Sequence, residues 1–158
     1  PAMETGIGGW TDGEVIRAIR EGIGKNGRFL VLMPSELFVG MSDEDVQAIV
    51  AFLRSQEPNE NETPKFKPSL VGRLFLSFLM SPPDRITEPV AAPPRGPTEE
   101  YGKYLANHVS PCAACHTPRI RGEIVYDKLW SGGEGFEVGE STIYSANLTR
   151  DAETGIGS

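Results

Sequence analysis

The sequence predicts an all-α fold with long loops rich in glycine and proline. Three segments place apolar residues at helical spacing directly after a polar residue that can cap a helix. The 158 residues also include 18 glycines and 13 prolines, and these residue types favour turns and loops over long regular elements. We therefore expect a few short helices joined by extended connections.

The first predicted helix lies in the segment GWTDGEVIRAIREGI. Thr11 and Glu14 are spaced as a capping box, and Trp10 is placed for a hydrophobic staple with Val15. The residues expected on the buried face are Val15, Ile16, Ile19 and Ile23. The residues suited to end the helix are Gly22 and Gly24.

The second predicted helix lies in the segment MSDEDVQAIVAFLRSQ. Ser42 is positioned as its N-cap, and three acidic residues in the first turn suit the positive end of the helix dipole. The residues expected on its buried stripe are Val46, Ile49, Val50 and Leu53.

The third predicted helix lies in TEEYGKYLANHVS, begins after Thr98 and leads into the only two cysteines of the chain. Its apolar positions are Tyr101, Tyr104, Leu105 and Val109. Gly102 within this helix costs roughly 1 kcal/mol relative to alanine. We therefore expect another helix to approach closely at Gly102.

Composition divides the chain into two parts joined by a connector. Residues 58–96 combine many prolines with a short apolar segment, which is typical of a semi-rigid linker. The apolar run, residues 69–80, is shorter than the about 20 residues that a bilayer span needs, and it contains Arg73. No signal peptide opens the chain, although a mature exported chain would look the same. The remaining parts, 1–57 and 97–158, are each small for a core of their own, and the glycine-rich residues 130–158 are predicted to be loop.

The charge balance argues against nucleic acid as a partner. The formal net charge is −7, and no segment is basic, whereas phosphate binding needs clustered lysine and arginine. An acidic surface instead suits docking to basic patches on other proteins.

The residues with distinctive chemistry are Cys112, Cys115 and His116, in the segment SPCAACHTPR. A C-x-x-C-H segment is the attachment motif of covalent haem, so haem c is the predicted cofactor. The two thiols add across the two vinyl groups of haem, and the two intervening residues let one turn of chain span them. The adjacent histidine then ligates the iron, and the small Ala113 and Ala114 let the backbone lie close to the porphyrin edge.

Other chemistry stays open for this motif. A structural zinc site needs four protein ligands, and here His108 would have to join the motif at an unusual spacing. A thioredoxin-like dithiol needs a strand before the motif and a helix after it, whereas a helix is predicted before it. A haem-free C-x-x-C metal-binding interaction module is therefore one alternative function. A haem peroxidase-like enzyme with an open iron position is another.

A low-spin cytochrome often uses a methionine as its second axial ligand. The candidates are Met3, Met33, Met41 and Met80. Met33 is favoured, because it stands in the irregular stretch FLVLMPSELF with Pro34 fixing the turn. Met41 is suited to pack on Val46, and Met80 ends the apolar run, so both suit packing roles. A core methionine is the alternative for Met33 as well.

Two segments resemble the halves of a class I c-type cytochrome domain. One segment of this chain resembles the first half of such a domain. It comprises YGKYLANHVSPCAACHTP, then Gly132, Gly133 and Phe136, and then YSANLTRDAETGIG. Residues 4–55 of this chain, from ETGIGGW to AFLRS, resemble the second half of such a domain. The similarity is to multihaem cytochrome c subunits of membrane-bound alcohol, aldehyde and gluconate dehydrogenases. It implies helices around a covalent haem, with Met33 of the Met-Pro pair as an axial ligand.

The two halves stand in reverse order, since the haem motif precedes the methionine in that family. The pentapeptide ETGIG occurs at residues 4–8 and again at 153–157, and it marks the same point of the domain twice. We therefore expect the C-terminal half of one domain (1–57), a linker (58–96) and the N-terminal half of the next (97–158). Alternatively, the halves fold over one haem as a circular permutant, within a chain or by exchange between chains. Only then do Met33 and His116 share one iron.

The resemblance also implies a role and a setting. It implies an electron carrier rather than an enzyme, acting in a bacterial respiratory or dehydrogenase chain. The implied partners are a dehydrogenase catalytic subunit and quinone or another cytochrome, and the implied location is the periplasm, with membrane association through other subunits. Gly102 is expected to contact Phe52, and Trp10 and Arg28 are candidates to bind a haem propionate.

Overall fold

The computed structural model describes residues 1–64, 68–72, 74, 84–120 and 123–157. Most of the apolar run over residues 69–80, including Met80, lies outside the described residues. The chain forms two compact units, Pro1–Tyr104 and Leu105–Ser158. The predicted division into half-domains and a linker stays a prediction.

The N-terminal part of the first unit contains the helices α1 (Asp12–Glu21), α2 (Ser35–Phe38) and α3 (Asp43–Ser55). The capping box of α1 is present, with Glu14 N donating to Thr11 Oγ1 and Thr11 N donating to the Glu14 carboxylate. Gly22 ends α1 in the left-handed conformation at φ 68°, which glycine adopts without steric cost. Both boundaries of α1 agree with the sequence-based expectation.

The core of the first unit lies between α1 and α3. The buried apolar residues of this unit are Ala2, Val15, Ala18, Met41, Val46, Val50 and Tyr104. Met41 is 1% exposed, in agreement with a packing role for this methionine. At the C-terminal end of α3, Arg54 donates to the carbonyls of Ile7 and Trp10 and pairs with Asp12, which holds the N-terminal loop on the helix.

The end of the proline-rich connector is fastened to the N-terminus of α3. Ser42 caps α3 through Asp45 N, and Asp43 N donates to the Val90 carbonyl. Helix α4 (Glu99–Tyr104) begins after Thr98, whose hydroxyl accepts the Tyr101 N–H. The Tyr104 hydroxyl accepts the Ser42 N–H at 3.0 Å and donates to Asp45 at 2.5 Å.

The third predicted helix changes form after Tyr104. It continues in the second unit as a π-helix, Leu105–Val109, in which Ser110 N bonds to the Leu105 carbonyl five residues back. A π-turn widens the helix and shifts the register of the residues after it. The Cys-His segment then forms a short helix, α5 (Ala113–His116).

The prediction of an all-α fold is wrong, because the second unit contains two antiparallel hairpins. Strands β1 (Arg119–Ile120) and β2 (Glu123–Ile124) form one, and β3 (Gly135–Val138) and β4 (Ser141–Tyr144) form the other. A long loop must pair its backbone groups, and β-branched and aromatic residues on both sides of a tight turn favour a hairpin. Gly139 supplies that turn at φ 63°.

The expected approach of another helix at Gly102 is absent among the described residues. A Cβ added at Gly102 would meet no described atom within 4 Å, and Phe52 is 64% exposed. The implied contact between Gly102 and Phe52 is therefore not formed within the first unit. No helix in the described part of the chain is long and apolar enough to cross a bilayer.

Replacing Tyr104 with phenylalanine is expected to destabilise the protein by about 1–3 kcal/mol, because the buried Ser42 N–H loses its acceptor and Asp45 Oδ2 keeps only the Ser42 hydroxyl as a donor. Urea denaturation of the full chain, followed by circular dichroism, measures the change. Tyr101→Phe is the matched control, since the ring that stacks on Tyr104 at 6.2 Å is retained. Equal losses in the two variants would contradict a role for the Tyr104 hydroxyl.

The same tyrosine makes stability depend on pH in the alkaline range. Burial, and then the hydrogen bond to Asp45, raise the pKa of Tyr104 above its ordinary value of 10.0. The protonated form is favoured in the folded state, so this contribution is complete below pH 10 and is lost as the pH rises through the folded pKa. We expect the free energy of unfolding to fall less steeply above about pH 10 in Tyr104→Phe than in the parent. Parallel slopes would contradict the assignment.

Candidate functional site

The candidate site is the helical turn that carries both cysteines and His116. Cys112 has helical backbone angles (φ −58°, ψ −33°), and Cys115 N and His116 N both donate to its carbonyl. Residues three and four apart lie on one face of a helix. Cys112 therefore shares a side of this turn with Cys115 and with His116.

The His116 ring is oriented by a backbone carbonyl. Its Nδ1 lies 2.8 Å from the Ala146 oxygen, which can only accept, so Nδ1 carries the proton. This fixes the tautomer in which Nε2 has a free lone pair. The arrangement is the one in which a histidine can ligate a metal through Nε2.

The loop after the second strand folds back onto the same turn. Gly132 N donates to the His116 carbonyl at 2.9 Å, and Trp130 N donates to the hydroxyl of the fully buried Thr117 at 3.2 Å. Leu148 N in turn donates to the Trp130 carbonyl. Both sides of the loop, before and after the β3–β4 hairpin, are thus tied to the residues around His116.

Two backbone conformations in this loop are restrictive. Trp130 has φ 69°, a left-handed value that costs a non-glycine residue roughly 1–2 kcal/mol. Gly132 has φ 67°, and a Cβ there would lie 2.5 Å from the Ala146 carbonyl carbon. Only glycine at 132 leaves room for the peptide whose oxygen holds the His116 ring.

The two cysteines are not joined in a disulfide. Cys112 is half-buried and Cys115 is exposed, so both thiols can react. Across the described ranges, no three histidine, cysteine, aspartate or glutamate side chains are grouped as a metal site. The described residues therefore give no support to the zinc alternative.

The second unit has little hydrophobic core. Its only buried apolar side chain among the described residues is Ala113. Its exposed large apolar residues are Ile120, Tyr126, Leu129, Phe136, Val138, Ile143, Tyr144 and Ile156. The large apolar side chains of this unit are therefore mostly exposed rather than packed in a core.

Met33 lies in the first unit, in a turn whose backbone bonds to both sides. Met33 N donates to the Leu30 carbonyl, and Ser35 N donates to the Met33 carbonyl. The side chain is half-buried and lines a mainly apolar cavity of about 680 Å³. We call this the Met33 cavity, and its lining residues are Asn26, Arg28, Phe29, Leu30, Val31, Leu32 and Met33.

The two propionate candidates also lie in the first unit. Arg28 is exposed and lines the Met33 cavity. Trp10 is half-buried beside the α1 N-cap, and its carbonyl accepts a hydrogen bond from Arg54. Met3 is exposed in the N-terminal loop and does not line the Met33 cavity.

The chain is similar to known proteins over most of its length. It is 36% identical over 130 residues to a nicotinate dehydrogenase subunit of Pseudomonas putida, covering 75% of the chain and 10% of that protein. It is 31% identical to the cytochrome c subunit of the alcohol dehydrogenase (quinone) of Gluconobacter oxydans, covering 99% of the chain and 34% of that subunit. It is also 31% identical to a dihaem cytochrome c-type protein of Cereibacter sphaeroides, covering 90% of the chain and 49% of that protein.

The predicted resemblance is confirmed, because such relatives are named as cytochrome subunits of alcohol, gluconate and fructose dehydrogenases and as a dihaem cytochrome c. The names also agree with the prediction of a cytochrome subunit rather than a catalytic subunit. No protein-family model matches the chain. The chain spans less than half the length of each of these three relatives.

Sequence reasoning finds the Cys-His turn and misses the groups that position it. The carbonyl of Ala146 leaves no trace in residue type, because any residue could supply it. The sequence shows a threonine directly after the motif and a tryptophan at position 130. It does not show that the Trp130 backbone N–H bonds to the Thr117 hydroxyl. Gly132 and Gly133 are among the residues that resemble the family. The sequence does not show that the backbone approaches closely at Gly132 and not at Gly133.

Alanine at Gly132 is expected to cost more stability than alanine at Gly133. Both glycines have positive φ (67° and 84°), so each substitution carries a backbone cost of roughly 1–2 kcal/mol. Only Gly132→Ala also collides with the Ser145–Ala146 backbone, which adds about 1–3 kcal/mol, whereas a Cβ at Gly133 meets open space. Thermal unfolding of both variants measures the difference. Equal losses would contradict the close approach at Gly132.

Proposed function

We propose that the protein is a c-type cytochrome that carries electrons through a covalently bound haem c. Cys112 and Cys115 form the two thioethers, and His116 is an axial ligand through Nε2. The observation that supports this most strongly is the side of the turn that Cys112 shares with Cys115 and with His116, with the His116 Nδ1 held by the Ala146 carbonyl.

The surroundings of the turn fit a large apolar group. Ala113 is buried and Ala114 is half-buried, so the space between the cysteines is taken by small side chains. The second unit lacks a core of its own among its described residues and exposes several large apolar side chains. A bound porphyrin would supply apolar contact area that the side chains of this unit do not supply to each other.

The first unit is proposed to carry the methionine half of a haem site. Met33 lies at the mainly apolar Met33 cavity, whose size is in the range of ligand pockets, and its thioether is the proposed axial ligand. Arg28 lines the same cavity and is proposed to pair with a propionate. Trp10 is a second candidate for a propionate contact. Its position next to the N-cap of α1 is also explained by packing at that cap.

The two copies of ETGIG support the proposal that the chain holds parts of two successive domains. Gly6 and Gly155 occupy the same place in the pentapeptide, and a Cβ at either would lie close to backbone oxygens of preceding residues, 3.1 Å from Ala2 O and closer still to Thr149 O. The chain also matches about half the length of a relative that is named as a dihaem cytochrome. A dihaem protein with one domain for each haem would be about twice the length of a chain that makes up one domain in total.

When bound, haem c supplies an iron that alternates between ferric and ferrous states without substrate chemistry. The residues of the chain attach it, ligate it and exclude water from its apolar face. The proposed partners are a dehydrogenase catalytic subunit as donor and quinone or another cytochrome as acceptor, because the relatives are named as dehydrogenase subunits. The proposed setting is the periplasm and a respiratory chain, with attachment to the membrane through other subunits.

Covalent attachment is tested by expression in a bacterial host with the haem c maturation system. We expect the purified chain to gain the mass of one haem and to retain it after acid–acetone extraction. Cys115→Ala should keep one thioether and shift the reduced absorption band, because one vinyl group is restored. His116→Gln should lose the low-spin spectrum, whereas His108→Gln should keep it. A colourless matured protein with two alkylatable thiols would overturn the proposal.

The role of Met33 is tested by comparing Met33→Leu with Met3→Leu in the haem-loaded chain. If Met33 ligates the same iron as His116, its replacement abolishes the near-infrared band of methionine-ligated ferric haem. It also lowers the midpoint potential, because a thioether ligand favours the reduced iron. The exposed Met3 should leave both readouts unchanged. Unchanged spectra in both variants would show that Met33 does not serve this haem.

A further inference from the structure

A second cavity in the first unit is lined by three arginines and has no assigned role. It has a volume of about 390 Å³ and lies between α1 and residues 85–89 of the connector. We call it the Arg20 cavity, and its ionisable lining residues are Arg17, Arg20, Glu21, Asp43, Arg85 and Glu88. It shares no lining residue with the Met33 cavity.

Arg20 is buried, with 4% of its side chain exposed, and only part of its guanidinium is paired. Its Nη1 donates to the Asp43 carboxylate at 2.5 Å, while Nε and Nη2 have no hydrogen-bond partner among the described residues. These two nitrogens lie on the same edge of the guanidinium plane, and one N–H bond of each runs parallel to the other. That edge is the one that binds a carboxylate or phosphate through two oxygens.

The other charges around the cavity leave this edge available. Asp43 is already paired with Arg20 Nη1, and Glu21 accepts the Ile86 N–H at 3.4 Å. Arg17 Nε is a third buried donor without a partner in the described part of the chain, while Arg17 Nη2 donates to the Gly24 carbonyl at 3.3 Å. Arg85 and Glu88 are exposed residues of the connector, so they lie at the solvent side of the lining.

We propose that the Arg20 cavity binds a small oxyanion, a carboxylate or a phosphate, through Arg20 Nε and Nη2. Buried donors are nearly always paired in folded proteins, and a two-oxygen acceptor satisfies both N–H groups at once. Arg17 Nε adds a third donor, and Arg85 brings positive charge from the connector. A bound anion therefore bridges α1 and residues 85–89.

The proposal is tested on the full chain by calorimetric titration with succinate and, separately, with inorganic phosphate. We expect saturable 1:1 binding of at least one anion and a matching rise in the thermal midpoint. Arg20→Lys should weaken binding at least about tenfold, because an ammonium group cannot offer the parallel pair. Arg85→Gln, at an exposed position, should weaken it severalfold and keeps the test valid if Arg20→Lys fails to fold.

Lys103→Gln is the control, since it removes one exposed positive charge away from the lining. Binding of succinate alone identifies a carboxylate site, and binding of phosphate alone identifies a phosphate site. The proposal is overturned if neither anion gives saturable binding, or if chloride at equal ionic strength raises the thermal midpoint equally. It is also overturned if Arg85→Gln binds as tightly as the parent.

Discussion

The second unit depends on the return of a long loop to the turn that carries Cys112 and His116. Three hydrogen bonds make that return, from Gly132 N to the His116 carbonyl, from Trp130 N to Thr117, and between His116 Nδ1 and the Ala146 carbonyl. Buried apolar contacts are scarce among the described residues of this unit, so backbone pairing carries much of its order. The same bonds that shape the unit fix the histidine tautomer, and structure and proposed chemistry therefore share one set of contacts.

The first unit is organised in a different way, by conventional helix packing. Apolar faces of α1 and α3 form its core, and long polar side chains such as Arg54 and Tyr104 fasten the flanking segments to the ends of α3. The Met33 cavity and the Arg20 cavity of this unit share no lining residue. The proposed haem ligand and the proposed anion site therefore use different residues.

Local sequence signals predict α1 and α3 well, because their caps and apolar stripes act within a few residues. Thr11, Gly22 and Ser42 each occupy the predicted capping position. The predicted fold class is wrong in the second unit, where a loop is predicted and the β3–β4 hairpin forms. Gly139 and the flanking Phe136 and Ile143 are typical of a hairpin, so this signal was present in the sequence. In the candidate site, the residues with reactive atoms are predictable from their type, and the Ala146 carbonyl is not.

The hydrogen bonds that hold the connector and Tyr104 to the start of α3 oppose any exchange of segments between chains. A linker of about 40 residues that moved freely would let its two ends explore a wide volume, and a neighbouring copy could compete for either half. Here Val90, Arg95 and Tyr104 are all bound to the first turn of α3 or its cap. Any exchange of the predicted halves between chains would therefore have to break these contacts first.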